Sequence, residues 1–229
     1  LALTYSPRKV QAYILDYGGQ SILKALEAFP HVGAVVTRLE AERTERLIQL
    51  IRTEVYRRNN SMRDLRVGNW LDHNAKCGKV EQFPALFLII DNFRDFKQSF
   101  ESEFISDVTR LISGAQASGL FLVIASSLQS DIPNELFSNI NQRVTFIQAD
   151  KSEYFRLVGS PTDAKLAEDA SKGLRPGRGL SKGEPPEEFQ TALPCYGEND
   201  KEQTENLIEL AEDMHAKWKS ELPKPVKTL

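Results

Sequence analysis

The stretch FPALFLIIDNF, residues 83–93, decides the fold, because it holds the strongest strand signal in the chain. Residues 85–90 form an unbroken apolar run that ends abruptly in Asp91 and Asn92. The run has none of the polar alternation of a half-exposed strand. Continuous apolar strands of this length are typical of parallel sheets that are covered on both faces.

Further apolar runs lie on both sides of this strand and alternate with helical segments. The predicted strands are 10–15, 32–36, 85–90, 120–125 and 143–148, with two short ones near Leu180 and at 189–193. The predicted helices are 21–28, 40–59, 104–115, 133–138 and 199–220. Strands that alternate with helices predict an α/β fold with a mostly parallel sheet wrapped by helices.

Domain organisation follows from composition along the chain. Residues 1–222 are predicted to form a single domain. Residues 60–82 are polar and irregular and are interpreted as a loop or insertion. Residues 161–200 are rich in Gly, Pro and charge, and the tail PKPVKTL at 223–229 is interpreted as a linker.

Composition excludes several classes of protein. The net charge of −3 gives no bulk attraction to nucleic acid or to an anionic membrane. The two cysteines, Cys77 and Cys195, are too few for a disulfide framework and lack metal-ligand spacing. No apolar run approaches the roughly 20 residues of a membrane helix. His31, His73 and His215 lie far apart and indicate no metal site or catalytic triad.

Ligands of parallel sheets bind beyond the carboxyl ends of the strands, which directs attention to 16–19, Asp91 with Asn92, and Ser126 with Ser127. Asp91 follows a buried strand, as the carboxylate of a Walker B element does when it holds Mg²⁺ beside a phosphate. Its alternative role is to cap the following helix. Asn92 can hydrogen-bond a water molecule but cannot accept its proton as a carboxylate does, so catalysis built on it should be slow.

Three other positions are candidates for phosphate binding. A polar side chain at Ser126 or Ser127 could sense a γ-phosphate, or could simply end a strand in solvent. Arg143 could reach a phosphate or a neighbouring subunit, or form a surface ion pair. Arg178 lies in the Gly- and Pro-stiffened stretch RPGRG, 175–179, which could contact phosphate or be a plain hairpin turn.

The phosphate-binding motif GxxxxGK[ST] does not occur in this sequence. Backbone N–H groups and the lysine of that loop supply most of the binding energy for a triphosphate. We therefore expect that these residues alone do not hydrolyse ATP.

The order of these segments resembles the FtsK/SpoIIIE family of P-loop ATPases. LALTYSP at 1–7 looks like the end of the helix after the Walker A loop, FPALFLIIDNF looks like the Walker B strand, and VTRLISGAQASGLFLVIASS at 108–127 resembles the helix and strand that lead to the sensor position. VQAYILDYGG at 10–19 and FPHVGAVVTRLE at 29–40 resemble the type VII secretion branch (EccC/EssC), as do RPGRGL and the tail. Tyr17 stands where the DNA-translocating branch has a lysine.

The resemblance implies a RecA-like sheet flanked by helices on both faces. It implies that Asp91 is the Walker B carboxylate for Mg²⁺, and that Ser127 replaces a glutamine sensor. Asn92 departs from the acidic residue of active members, and the Walker A segment lies outside this sequence. ATP and Mg²⁺ are the implied cofactors. The implied partners are other ATPase domains and WXG-type secreted substrates, at the cytoplasmic side of the membrane within a larger membrane-anchored protein.

Three functions compete. The first is a secretion-motor ATPase module, degenerate or inactive in these residues, that binds nucleotide, substrate or a neighbouring domain. The second is an FtsK-like DNA translocase module, for which no basic cluster interleaved with aromatic residues is present in the sequence. The third is a catalytically inert assembly domain.

Overall fold

The computed structural model describes residues 1–19, 21–79, 81–146, 148, 150–159 and 177–221. They form two compact units, one from Leu1–Ser126 with Cys195–Leu229, described up to residue 221, and the other from Ser127–Pro194. The single domain over 1–222 stays a prediction. The predicted linker at 223–229 lies outside the described residues.

A four-stranded parallel sheet forms the core of the first unit. Its strands are β1 (Val10–Asp16), β2 (Val32–Thr37), β3 (Ala85–Asp91) and β4 (Leu120–Ile124). Their order is β2-β1-β3-β4, and every neighbouring pair is parallel. The structure thus confirms the α/β fold with a mostly parallel sheet, and β3 is an inner strand as its apolar sequence predicts.

Helices connect the strands in both units. They are α1 (Ser21–Ala25), α2 (Ala41–Asp64), α3 (Trp70–Lys76), α4 (Phe93–Gln98), α5 (Ser102–Ser113), α6 (Asn134–Asn139), α7 (Lys151–Val158) and α8 (Asp200–Lys217). In the described part of the chain, none of them has the length and apolar character needed to cross a membrane.

The prediction of a loop or insertion over 60–82 is wrong for most of its length, because α2 continues to Asp64 and α3 occupies Trp70–Lys76. The buried stripe of α2 runs on through Arg58 and Met62. An arginine at a buried position hides the helical period from a reader of the sequence. Asn69 begins α3, and its side chain accepts the backbone N–H of Asp72 at 2.9 Å.

The last helix, α8, belongs to the first unit and packs there through an apolar face. Leu207, Ala211 and Met214 are buried against Phe29, and Trp218 lies beside them. The Trp218 indole N–H donates to the carbonyl oxygen of Ala2 at 3.1 Å. The helix therefore ties the amino-terminal turn to the segment that precedes β2.

The second unit holds a small antiparallel sheet of β5 (Val144–Thr145), β6 (Arg178–Ser181) and β7 (Glu187–Gln190), in the order β5-β6-β7. Its buried cluster is Tyr154, Val158 and Leu180. The predicted strand 143–148 is thus shorter than expected and pairs with β6. The predicted strand 189–193 begins earlier and ends at Gln190, because the chain reverses between Ser181 and Glu187.

Candidate functional site

Two carboxylates end neighbouring strands at the carboxyl edge of the parallel sheet. Asp16 is the last residue of β1 and pairs in register with Asp91, the last residue of β3. Partners in register in a parallel pair project to the same face of the sheet. Asp16 is only 2% exposed, and Asp91 is half-buried. The structure therefore places two acidic groups side by side where ligands of such sheets bind.

The carboxylate of Asp91 is held by backbone groups. It accepts the N–H groups of Asn92 and Gly18. Burial, and after it the negative charge of Asp16, raises the pKa of Asp91 above its ordinary value, while the two N–H groups act in the opposite direction. A cation placed nearby would act with the two N–H groups and lower this pKa.

The turn after β1 is shaped around these carboxylates. Any Cβ added to Gly18 would overlap Oδ2 of Asp91, so only glycine allows this close approach. Gly19 has a φ of +71° and donates its N–H to Oδ1 of Asp16 at 2.8 Å. The Gly18–Gly19 pair is thus the element that fixes both acidic groups.

Tyr17 anchors this turn in the core. Its ring is 1% exposed and meets Phe96 edge-on at 5.3 Å between centroids. Its hydroxyl shares a hydrogen bond of 3.0 Å with Oγ1 of Thr44. The position that carries a lysine in the DNA-translocating branch therefore holds a buried aromatic ring in this chain.

The Asn92 side chain forms hydrogen bonds with backbone groups. It lies in the left-handed region, at φ 52° and ψ 67°, which asparagine adopts more easily than most residues. As the N-cap of α4 it accepts the Asp95 N–H at 3.4 Å, and its Nδ2 donates to the Tyr17 carbonyl oxygen at 3.4 Å. The alternative role of Asp91 as the cap of this helix is therefore wrong.

Ser126 lies at the same edge, because the end of β4 is bound to the start of α4. The Phe93 N–H donates to the carbonyl oxygen of Ala125 at 2.9 Å, and Ser126 follows directly. The structure thus brings Asp91, Asn92 and Ser126 together within the first unit. Ser127 is exposed and begins the second unit.

Arg143 and Arg178 both belong to the second unit. The Arg143 guanidinium lies over the Phe137 ring at 3.8 Å and donates to the carbonyl oxygens of Ile140 at 2.8 Å and Phe137 at 2.9 Å. Burial lowers its pKa. These carbonyl partners replace the surface ion pair considered from sequence, and the residue holds the end of α6.

Arg178 begins β6 and forms an ion pair with Glu188 of β7. The hairpin turns between Ser181 and Glu187, so the described residues of RPGRG, 177–179, lead into β6 and do not form its turn. Arg175 lies outside the described residues. The phosphate-binding roles of Arg143 and Arg178 stay predictions.

Sequence reasoning placed Asp16 at the right edge but assigned it no role. The available signal was its position, since both Asp16 and Asp91 follow apolar strands. What the sequence does not reveal is that β1 and β3 are neighbours in register. Because the two strands are adjacent, the negative charge of Asp16 contributes to the raised pKa of Asp91.

The carboxylate oxygens at this edge are of the kind that bind Mg²⁺ in a nucleotide site. Mg²⁺ is held through one or two carboxylates together with water and substrate phosphates, and Asp91 offers such an oxygen. Among the described residues, no group of three or more His, Cys, Asp or Glu side chains could hold a metal ion by itself.

Comparison with protein families identifies the fold. The sequence profile of the FtsK/SpoIIIE family matches residues 1–172. The chain belongs to the FtsK/SpoIIIE family. Its relatives place it in the type VII secretion branch, which confirms the interpretation of the DYGG and FPHVG segments.

One such relative is the ESX secretion system protein EccC of Thermomonospora curvata, 27% identical over 235 residues, which cover 100% of this chain and 17% of the relative. Another is the type VII secretion system protein EssC of Staphylococcus aureus, 26% identical over 70% of this chain and 11% of the relative. The chain thus spans less than a fifth of these relatives.

Solved structures of type VII secretion ATPases superpose on this chain. ATPases 2 and 3 of T. curvata EccC, in complex with a signal sequence peptide, superpose with a TM-score of 0.83 and 26% identity, over 100% of this chain and 40% of that one. ATPases 2 and 3 of EssC from Geobacillus thermodenitrificans give 0.81 and 26%, over 98% and 41%. The architecture is therefore that of the EccC/EssC ATPase domains.

Proposed function

We propose that this chain is an ATPase-type motor module of a type VII secretion translocase, with Asp91 as the magnesium carboxylate of its ATP site. The observation that carries the proposal is the position of Asp91 at the end of an inner parallel strand, in register with Asp16. A phosphate-bound Mg²⁺ there would meet a half-buried carboxylate oxygen, the kind of ligand this ion prefers.

Hydrolysis by this module should be slow or absent. Asn92 uses both ends of its amide to hold the turn and α4, and it has no carboxylate with which to take a proton from water. The module would then act through nucleotide, substrate or inter-domain binding. A phosphate-gripping loop would have to come from outside the residues of this sequence.

Calorimetry with ATP and Mg²⁺ tests the proposal, on this chain and on the longest natural polypeptide that contains it. We expect ATP binding to the longer polypeptide to depend on Mg²⁺ and to weaken by about tenfold or more in Asp91→Asn, since a metal carboxylate is lost. Asp213→Asn, on the exposed face of α8, is the matched control. Equal ATP affinity in wild type and Asp91→Asn would reject the nucleotide role.

An inert assembly domain is the second candidate. It is favoured by the two backbone N–H groups that already satisfy the Asp91 carboxylate without a metal. In that case Asp91→Asn lowers the melting temperature, and ATP gives no heat with either polypeptide. Asn92→Asp separates the cases further, because it should raise hydrolysis only if ATP and Mg²⁺ bind.

The partners we propose are WXG-type secreted proteins and other ATPase domains of the same polypeptide or ring. The solved EccC domains that hold a signal sequence peptide support the first of these. The buried ring of Tyr17 speaks against a DNA translocase. We place the parent protein at the cytoplasmic side of the membrane, as part of a membrane-anchored translocase.

Pull-down with the carboxyl-terminal tails of WXG-type proteins from the same genome tests the substrate assignment. We expect at least one tail to be retained at physiological salt. Failure to retain any of them, together with a shift of labelled DNA at that salt, would favour the DNA translocase instead.

A further inference from the structure

A groove of about 380 Å³ opens in the first unit at the amino ends of the parallel strands. Val10 and Ala85, the first residues of β1 and β3, lie in its wall. The strands run from this end to the Asp16–Asp91 edge, a distance of about 20 Å at the usual rise per residue. The groove is therefore a separate place from the proposed nucleotide site.

Aromatic rings form the floor of the groove. Trp70 of α3 meets Phe121 of β4 edge-on at 6.2 Å, and Phe87 of β3 stacks on Phe121 at 5.4 Å. All three rings are only half-buried, and Tyr5 at the rim is 46% exposed. Concave apolar surface of this kind suits inserted apolar side chains.

The polar groups in the wall are already paired. The Asn74 amide exchanges two hydrogen bonds of 2.8 Å with the backbone of Phe83, and Gln82 donates to the Asn74 carbonyl oxygen at 3.0 Å. These bonds fix the wall in position. They also leave the wall with little capacity to bind a polar ligand.

The charged groups at the rim are both positive. Arg8 and Lys9 line the groove and are exposed, and no ion pair or side-chain hydrogen bond joins them to any described residue. Two such cations beside an apolar floor complement a ligand that is apolar and acidic. A nucleic acid strand would need more cations and free aromatic faces, whereas these rings pack on one another.

We propose that the groove binds a peptide segment that inserts apolar side chains between Trp70, Phe87 and Phe121 and sets acidic side chains against Arg8 and Lys9. The proposal does not depend on nucleotide binding. Its occupant is defined by alternating apolar and acidic character, and the groove gives the chain a second docking place remote from Asp91.

The test uses three labelled synthetic peptides without tryptophan that share their Leu and Phe positions and differ only in charged positions, which are all Glu, all Gln or all Lys. The protein is the full chain carrying Trp218→Phe, so that Trp70 is its one tryptophan. At physiological salt and without ATP, we expect the Glu peptide to shift Trp70 emission and to bind about tenfold more tightly than the Lys peptide.

Matched variants assign the binding to the groove. Arg8→Glu with Lys9→Glu should abolish the preference for the Glu peptide, while Arg94→Glu with Arg110→Glu should leave it unchanged. Tyr5→Ser should weaken binding, and Tyr56→Ser, at a 67%-exposed tyrosine of α2, should not. Circular dichroism confirms that each variant is folded.

Four outcomes would overturn the proposal. The first two are equal affinity for the three peptides and absence of binding. The third is tighter binding of a single-stranded oligonucleotide than of the Glu peptide. The fourth is loss of peptide binding in the longest natural polypeptide, which would mean that another segment of the protein fills the groove. None of these depends on ATP, so failure here is distinguishable from failure of the proposed motor function.

Discussion

The two outer strands of the parallel sheet differ in how their free edges are protected. On the outer side of β2, the Val35 N–H donates to Oε1 of Glu27 at 3.3 Å, and the Lys24 ammonium donates to the Val35 carbonyl oxygen at 3.2 Å. The next outward N–H, that of Thr37, donates to Oε2 of Glu40 at 3.0 Å. Side chains close in sequence thus guard this edge.

No such guard from the described residues lies on the outer side of β4. Gly119 and Ala125 bond to β3 at 2.8 and 2.9 Å, so alternate residues between them face β3 and the others face away. Leu122 and Ile124 therefore turn their backbone groups outward, and no described residue bonds to them there. Val123 beside them is 45% exposed.

The comparison separates a guarded edge, at β2, from an open edge, at β4. An unpaired row of N–H and C=O groups on an apolar strand is a template for a further strand, and charged side chains normally prevent that. The guarded edge therefore ends the sheet, while the open edge can accept another strand. Four changes would break or sharpen this contrast.

The largest expected effect comes from Arg58→Met, because Arg58 holds the start of β4. Its 2%-exposed guanidinium donates to Glu54 at 2.8 Å and to the carbonyl oxygens of Pro84 at 2.8 Å and Ser118 at 3.0 Å. Its loss leaves the carbonyl oxygens of Pro84 and Ser118 without their donor, while Glu54 keeps Arg57 as a partner. Two acceptors left unsatisfied should lower the free energy of unfolding by about 2–4 kcal/mol. Urea denaturation measures this.

Arg57→Met is the control, since the Arg57 side chain is 58% exposed and pairs with the same Glu54. Its effect should stay below about 1 kcal/mol. Similar losses for the two variants would show that burial of Arg58 does not anchor the open edge.

Glu40→Gln should weaken the guarded edge by about 1 kcal/mol, the usual net worth of a hydrogen bond. The hydrogen bond from the Thr37 backbone, followed by that from Arg43, lowers the pKa of Glu40 from 4.5 to about 2. Ionised Glu40 therefore stabilises the fold fully above pH 4.5 and loses this effect as the pH falls towards 2. The urea midpoint of wild type should drop across this window more steeply than that of Glu40→Gln, and an unchanged slope would contradict the idea. Glu45→Gln is an exposed control on the same helix.

His31→Gln should flatten the pH dependence of stability between 7 and 5.5, with a smaller effect. His31 precedes β2, is 5% exposed and shares a 2.8 Å hydrogen bond with the Tyr5 carbonyl oxygen. Burial lowers its pKa below 6.5. Neutral His31 thus stabilises the fold above pH 6.5, and stability is lost as the pH falls below that value. Thermal melts at both pH values measure the pH dependence of stability. Equal pH dependence in wild type and His31→Gln would show that His31 does not contribute to it.

Val123→Lys should have the smallest effect on folding, within about 0.5 kcal/mol, because the residue is 45% exposed. It should reduce concentration-dependent association by placing a charge beside the open edge. Val144→Lys, at a 59%-exposed position of β5, is the control. Light scattering over a concentration series measures the association. Equal association of both variants and wild type would show that β4 is not used as a template.

The predictable parts of the molecule are those whose local pattern agrees with their final environment. The strands β1, β3 and β4 were found because unbroken apolar runs leave few alternatives. The end of α2 was missed because Arg58 occupies a core position, which only its partners Glu54, Pro84 and Ser118 make tolerable. Of the candidate site, the sequence indicated Asp91 and Asn92, because they follow a recognisable strand, but it indicated no role for Asp16.

The sequence by itself determined the α/β class, the parallel sheet and the family, because apolar periodicity and the order of segments are local properties of a chain. Only the tertiary structure decided that Asp16 stands beside Asp91, that Asn92 is committed to capping α4, and that one edge of the sheet is guarded while the described residues leave the other open. Those features depend on which strands become neighbours, and the interactions that select neighbours act between residues far apart in sequence.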